Sequence, residues 1–285
     1  MERSHIFIAF LLFVFIILSI KINRTHRKYN ILDNIDIDGE TGFDWDKTQI
    51  YFINLDLSVK RKKNVETMLT KANISASRIP AIDGKLLDID KYKHLFKTKP
   101  SMYENYTKNK KNVGHFGCYL SQMKCYEEFL KTDKEFCIIF EDDMEIKSNT
   151  FKKDVEKHVR NVPQGWDIIL FGYNLNDTYH KDRNKGIQMI NNIINIRSFT
   201  GLHGYMINRN SAKKLLHELQ DHRWYIDWNM VYLIDDDKLS VYGAYPPFVC
   251  QPAAHKIDFK ELGLTYETKC NQSMGGMFGS NSEAY

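Results

Sequence analysis

The chain reads as an α/β protein, with a mostly parallel sheet carrying helices on its faces, and three observations predict this. Apolar β-favouring runs alternate with segments of helical period from Gln49 to Leu219. One such run, Phe136–Phe140, passes straight into three carboxylates, Glu141, Asp142 and Asp143. A strand ending in acids sets them at the carboxyl edge of a sheet, where α/β proteins build ligand sites. The composition, 285 residues with 43% hydrophobic and 27% charged, is that of a globular chain long enough for one large domain or two small ones.

In order, Gln49–Leu55 predicts a first strand. Val65, Met68, Leu69 and Ala72 then recur at helical spacing behind Ser58, a candidate N-cap, and predict a helix over 58–72. Arg78–Ile82 is a second short strand, closed by the turn pair Asp83-Gly84. Lys91–Asn112 is lysine-rich and aromatic and reads as a mobile excursion that could cover a substrate. Leu120, Met123, Phe129 and Leu130 place a helix over 117–130, leading into the strand that carries the acids. Trp166–Gly172 and Gly204–Ile207 are further strands, and Ser211–Leu219 a helix with Ser211 near its start. The tail after Ser273, rich in Gly, Ser, Asn and Met, reads as a flexible cover.

Forty basic against thirty-six acidic residues leave a net charge of +4 without a basic stripe, which argues against a nucleic-acid partner. Five cysteines without C-x-x-C spacing argue against a zinc knuckle and a dense disulfide framework, leaving room for one bridge between Cys250 and Cys270.

Behind a short tail, 1–5, the apolar run Ile6–Ile20 with Ile22 predicts a transmembrane signal anchor over 6–22, since no small-x-small cleavage site follows it. Residues 23–46 lack periodicity and read as a stem, with the folded domain over 47–272 and a flexible tail over 273–285. Lys21, Arg24, Arg27 and Lys28 on the carboxyl flank favour a cytosolic domain. The sequons at Asn73, Asn105, Asn176 and Asn271 favour a lumenal, type II glycoprotein of the secretory pathway, and this is the expectation taken forward.

The acidic triplet suits a hard divalent cation chelated by phosphate oxygens. The plainer alternative is a solvated turn capping the next helix. A second triplet, Asp235-Asp236-Asp237, reads as such a turn before Lys238.

Four segments occur in a specific order: Ile53-Asn54-Leu55-Asp56 with Arg61, Ala81-Ile82-Asp83-Gly84, Gly117-Cys118-Tyr119-Leu120-Ser121, and Glu141-Asp142-Asp143. Together with Gly204-Tyr205-Met206-Ile207, Ala212-Lys213-Lys214-Leu215 and Asp227, they resemble glycosyltransferase family 25, the family of bacterial lipooligosaccharide galactosyltransferases and animal collagen β-galactosyltransferases, over roughly residues 48–260. Gln122 departs from the family, which usually has His after that Ser.

The resemblance implies a GT-A type fold, a nucleotide-sugar donor and a manganese-dependent inverting transfer to a hydroxyl. A metal ion held by strand-end carboxylates would stabilise the departing diphosphate as a Lewis acid. Asp143 is the first choice for metal ligand, Glu141 for a second ligand or a ribose contact, and Asp142 can exchange with either. His255, late in the domain, stands where many such folds supply a metal-binding His, against its reading as a surface histidine. Asn54, Asp56 and Arg61, with Asp83 and Ser121, fall where the family's fold receives the nucleotide, although Arg61 also fits an exposed helix face and Ser121 a helix cap. An inverting transfer needs a base for the acceptor hydroxyl. Asp227, set among Tyr225, Ile226 and Trp228, is favoured over Asp258, and a helix cap is its rival role.

The expected activity is therefore transfer of a hexose, galactose from UDP-galactose above glucose, to a glycan or a hydroxylysine-type protein acceptor. A non-catalytic adhesion or scaffold protein is the first alternative. The second is a metal-dependent phosphohydrolase, which would leave the other matched segments unexplained.

Overall fold

Strand β1 (Thr48–Asn54) sends Ile50 and Phe52 to one face of the sheet and Tyr51 and Ile53 to the other, all buried. This two-sided burial is why the run is apolar throughout. The computed structural model describes residues 42–109, 112–175, 178–184, 187, 189–251 and, as backbone, 257–258 and 267–268. The expected anchor over 6–22, the sequons at Asn176 and Asn271 and the tail after Ser273 lie outside these, and among the described residues no helix is long and apolar enough to cross a membrane. Phe43 and Trp45, just ahead of β1, pack into the fold: Phe43 meets Phe136 at 5.4 Å between ring centroids, and Trp45 Nε1 donates to Glu156 at 2.7 Å.

From β1 the chain forms α1 (Val59–Lys71), β2 (Ser77–Pro80), α2 (Pro100–Lys108), α3 (Val113–Leu130), β3 (Phe136–Glu141), β4 (Glu145–Ile146), α4 (Phe151–Asn161) and β5 (Ile168–Asn174). It continues through α5 (Thr178–Arg183), β6 (Met189–Ile190), β7 (Ile193–Asn195), β8 (Thr200–Asn208), α6 (Arg209–Glu218), α7 (Ile226–Asp235), β9 (Val241–Ala244) and β10 (Val249–Cys250). Two short strands, β11 (Ile257–Asp258) and β12 (Glu267–Thr268), pair with each other. The main sheet has the order β2-β1-β3-β8-β5-β9-β7-β6. Side chains of α1 and α4 pack on one face, and those of α2, α3, α6 and α7 on the other.

The sheet is mixed rather than mostly parallel. β1–β2, β1–β3 and β5–β9 are parallel, whereas β8 runs antiparallel to both β3 and β5, and β7 antiparallel to β9 and β6. A parallel crossover needs about a dozen residues, usually a helix. Among the described residues between β5 and β8 the chain forms the six-residue α5 and the β6–β7 pair, and β8 enters reversed.

The lysine-rich stretch 91–112 is not a mobile excursion either. It holds the end of a 3-10 turn over Ile89–Leu95, then α2, whose Met102 and Tyr106, one turn apart, are buried. Phe96, Tyr106, Phe116, Tyr119 and His222 form a ring cluster, with Phe96 5.3 Å from Phe116 and Tyr119 4.5 Å from His222. Lys91, Lys93, Lys97 and Lys108 are exposed and obscure this pattern in the sequence. Helix α3 also begins earlier than expected, at Val113.

Candidate functional site

Parallel pairing sets Ile53 of β1 against Glu141 of β3, so Asn54 and the acids emerge at one edge of the sheet. Because β8 is antiparallel, its first residues arrive at that same edge: Phe140 pairs with Gly204, and His203 comes next to Glu141. Among the described residues, Glu141, Asp143 and His203 bring ligand atoms within 4.8 Å of one another. A parallel β8 would have carried His203 to the opposite edge.

Asp142 is tied down by the protein. Asn54 Nδ2 donates to it at 2.6 Å and Arg61 at 3.1 Å, while Arg61 lies 3.7 Å from Asp143. Burial raises the Asp142 carboxyl, and those two partners oppose the shift. Burial likewise raises Glu141, the neighbouring His203 ring opposes the shift, and Asp143 adds like-charge repulsion. Gln251 Nε2 donates to one Asp143 oxygen at 2.7 Å. The other oxygen, Oδ1, and Nδ1 of His203 are buried with no hydrogen-bond partner among the described residues.

Unpartnered buried polar atoms are costly, and two of them aimed into one acidic corner fit the ligand set of a cation. The donor set, two carboxylates and an imidazole, suits manganese or zinc more than calcium. The Asn174 amide lies 3.1 Å from His203 Nε2. The atom facing the ring is the amide nitrogen Nδ2, and ligation of a metal through Nδ1 would need the amide turned so that its oxygen accepts from Nε2–H.

Two clefts meet at this corner, and Glu141 and Cys118 line both. The first, of about 670 Å³, is bordered by Asn54, Arg61, Asp83, Ser121 and Asp142. Its floor depends on Gly117 of α3, where a Cβ would sit 2.5 Å from the Ile82 carbonyl oxygen. Ser121 Oγ accepts from the Ile82 N–H at 2.8 Å, and Asp83 accepts from the Lys85 N–H at 2.9 Å, so both shape the 82–85 turn. Asp56 does not border the cleft; it is exposed and pairs with Arg78, which also bonds Asn54.

The second cleft, about 760 Å³, is bordered by His115, Asp143, His203, Tyr225, Asp227 and Gln251. Asp227 lies in the first turn of α7, where Oδ2 accepts from Gly201 N–H at 3.0 Å and Oδ1 from Trp228 N–H at 2.8 Å. Burial raises its carboxyl, and these two bonds restrain the rise. Gly201 has φ +82°, and a Cβ there would meet the His203 ring at 2.4 Å. Only glycine accommodates both that conformation and that ring.

Of the residues the sequence singled out, Asn54, Arg61, Asp83, Ser121, Glu141, Asp142, Asp143 and Asp227 thus line one connected site. His255 and the side chain of Asp258 lie outside the described residues, and Asp258 is known only as backbone in β11. Cys250 is disulfide-bonded, and Cys270 lies outside the described residues. His203, His115 and Gln251 escape the sequence reading as site residues, whereas Tyr225 enters it as an aromatic flank of Asp227 suited to stacking on a sugar. For His203 the available signal was a histidine between glycines in an otherwise apolar strand.

The sequence profile of glycosyltransferase family 25 (LPS biosynthesis protein) matches residues 47–230. A glycosyltransferase 25 family member of Aedes aegypti is 27% identical over 174 residues, covering 60% of this chain and 28% of that protein. Human procollagen galactosyltransferase 2 is 26% identical over 179 residues, 61% of this chain and 28% of its own length. Mouse inactive glycosyltransferase 25 family member 3 is 29% identical over 135 residues, 46% and 22%. The chain therefore spans less than a third of the length of these curated relatives. The matched segment holds the acidic corner, both clefts' main walls and Asp227, and this chain belongs to glycosyltransferase family 25.

Proposed function

We propose that this chain is a metal-dependent, inverting hexosyltransferase of GT-A type that moves galactose from UDP-galactose to a hydroxyl of a glycan or a hydroxylysine-type protein acceptor. The observation that carries the reading is the acidic corner itself: Glu141, Asp143 and His203 converge between two clefts, with Asp143 Oδ1 and His203 Nδ1 unpartnered among the described residues. The two clefts supply separate places for donor and acceptor. The name of the human relative, procollagen galactosyltransferase 2, motivates the choice of sugar and of a protein acceptor.

In this reading the first cleft takes the nucleotide, with Asn54 and Arg61 near the diphosphate end and the 82–85 turn as a wall. Glu141, Asp143 and His203 hold a manganese ion, whose chemistry when bound is that of a Lewis acid for the leaving diphosphate. Arg61, resting on Asp142 and Asp143, is placed to add its fork of donors to the phosphates. Asp227 acts as base from the second cleft. The acceptor hydroxyl gives its proton to Asp227, and its oxygen bonds the anomeric carbon from the face opposite the diphosphate. The bond between that carbon and the phosphate oxygen breaks, and its electron pair leaves on UDP. A type II anchor formed by residues 6–22 would place the domain in the secretory lumen.

The test is release of UDP from UDP-galactose by the full chain with manganese, with and without panels of neutral glycans and hydroxylysine peptides. Acceptor-dependent release, lost on chelation, is expected. Metal-dependent formation of UMP and sugar phosphate that no acceptor stimulates favours the phosphohydrolase reading instead, and no turnover with the folded protein favours the scaffold.

A further inference from the structure

The second cleft contains more than the proposed base. His115 and Tyr225 stack with ring centroids 3.9 Å apart and planes 33° apart, and both rings border the cleft half-buried. Trp224 continues the surface, 5.3 Å from Tyr225, with Lys99 Nζ 4.3 Å from the Trp224 ring. Leu202 and Ile226 add apolar wall. Tyr225 immediately precedes α7 and its carbonyl accepts from Asn229 N–H, so its ring is held two residues from Asp227.

Resting on the transferase reading above, we propose that the His115–Tyr225 pair is the acceptor platform and that the acceptor presented to Asp227 is an uncharged pyranose ring. Rings already packed against each other lose little conformational freedom on binding. Their flat apolar bodies suit the C–H face of a sugar, and the phenol hydroxyl and imidazole suit its hydroxyls. Burial lowers the His115 pKa, so the imidazole brings no charge at neutral pH. Among the described residues the charged side chains bordering the cleft are acids, Glu141, Asp143 and Asp227. With the first two on the metal, Asp227 remains beside the acceptor and repels an anionic ring.

The experiment is saturation-transfer NMR on the full chain with methyl β-D-galactopyranoside, methyl β-D-glucopyranoside and methyl β-D-glucuronide. Wild type, Tyr225→Ala, Tyr225→Phe and His115→Ala are compared, and UDP-galactose binding is measured in each sample. We expect at least one neutral glycoside to bind. Its signal should fall at least tenfold in Tyr225→Ala and His115→Ala and persist in Tyr225→Phe, with the glucuronide silent and UDP-galactose binding intact. Equal signals in wild type and Tyr225→Ala, no neutral glycoside binding, or glucuronide binding as strong as the neutral sugars would overturn the platform. Loss of UDP-galactose binding in wild type while glycoside binding stays sensitive to Tyr225 would instead sink the transferase reading and leave the platform standing.

Discussion

At Asp143 and His203 the protein leaves buried polar atoms without partners, and a fold tolerates this when something else completes them. Asp143→Asn and His203→Ala should each weaken manganese binding at least tenfold, as read by competition with a metallochromic dye; unchanged affinity in both would remove the metal site. Asp227 has a different task. Asp227→Asn should retain UDP-galactose binding and lose at least a hundredfold in kcat, since general bases contribute roughly 10²–10⁴. Gly201→Ala perturbs both at once: it strains a backbone at φ +82° and drives a Cβ into the His203 ring. It should lower metal affinity by displacing the His203 ring although no ligand residue is replaced, and calorimetry with manganese checks this.

Elements show where sequence reading succeeds and where it stops. Periodicity located β1, α1 and β3 because their apolar residues face two cores at regular spacing, and the acids following Phe140 were legible as strand-end groups. Strand direction carries no such mark. β8 is equally apolar read either way, so its antiparallel insertion, and with it the delivery of His203 to Glu141, could be seen only in the pairing. The Tyr225–His115 stack is likewise a contact across 110 positions of sequence. For α2 the signal was present, Met102 and Tyr106 one turn apart, but lysines surrounded it. If α2 is core rather than lid, Met102→Ala should cost about 2–5 kcal/mol in urea unfolding, whereas a mobile cover would show almost none.

Across the whole molecule, the ring cluster under the site couples stability to acid. Burial lowers the His222 pKa to about 3, against a small opposing effect of Asp221 and a reinforcing one of His115. Its folded pKa lies below the ordinary value, so between pH 6.5 and 3 the unfolded chain binds the extra proton and stability falls as pH falls. A shift of that size corresponds to roughly 4–5 kcal/mol at the acid end. His222→Phe, which keeps a ring among Phe96, Phe116 and Tyr119, should flatten the decline in urea-unfolding free energy between pH 7 and 4. An unaltered slope would assign the acid sensitivity elsewhere.

The central claim is that one sheet edge assembles a metal-assisted donor site from β1, β3 and β8. Calorimetric titration of UDP-galactose into the full chain, with manganese and then with chelator, tests it most directly. The account predicts saturable binding that requires manganese in the wild type and disappears in Asp143→Asn. Binding of equal strength with chelator present, or none by a folded, manganese-loaded protein, would contradict it.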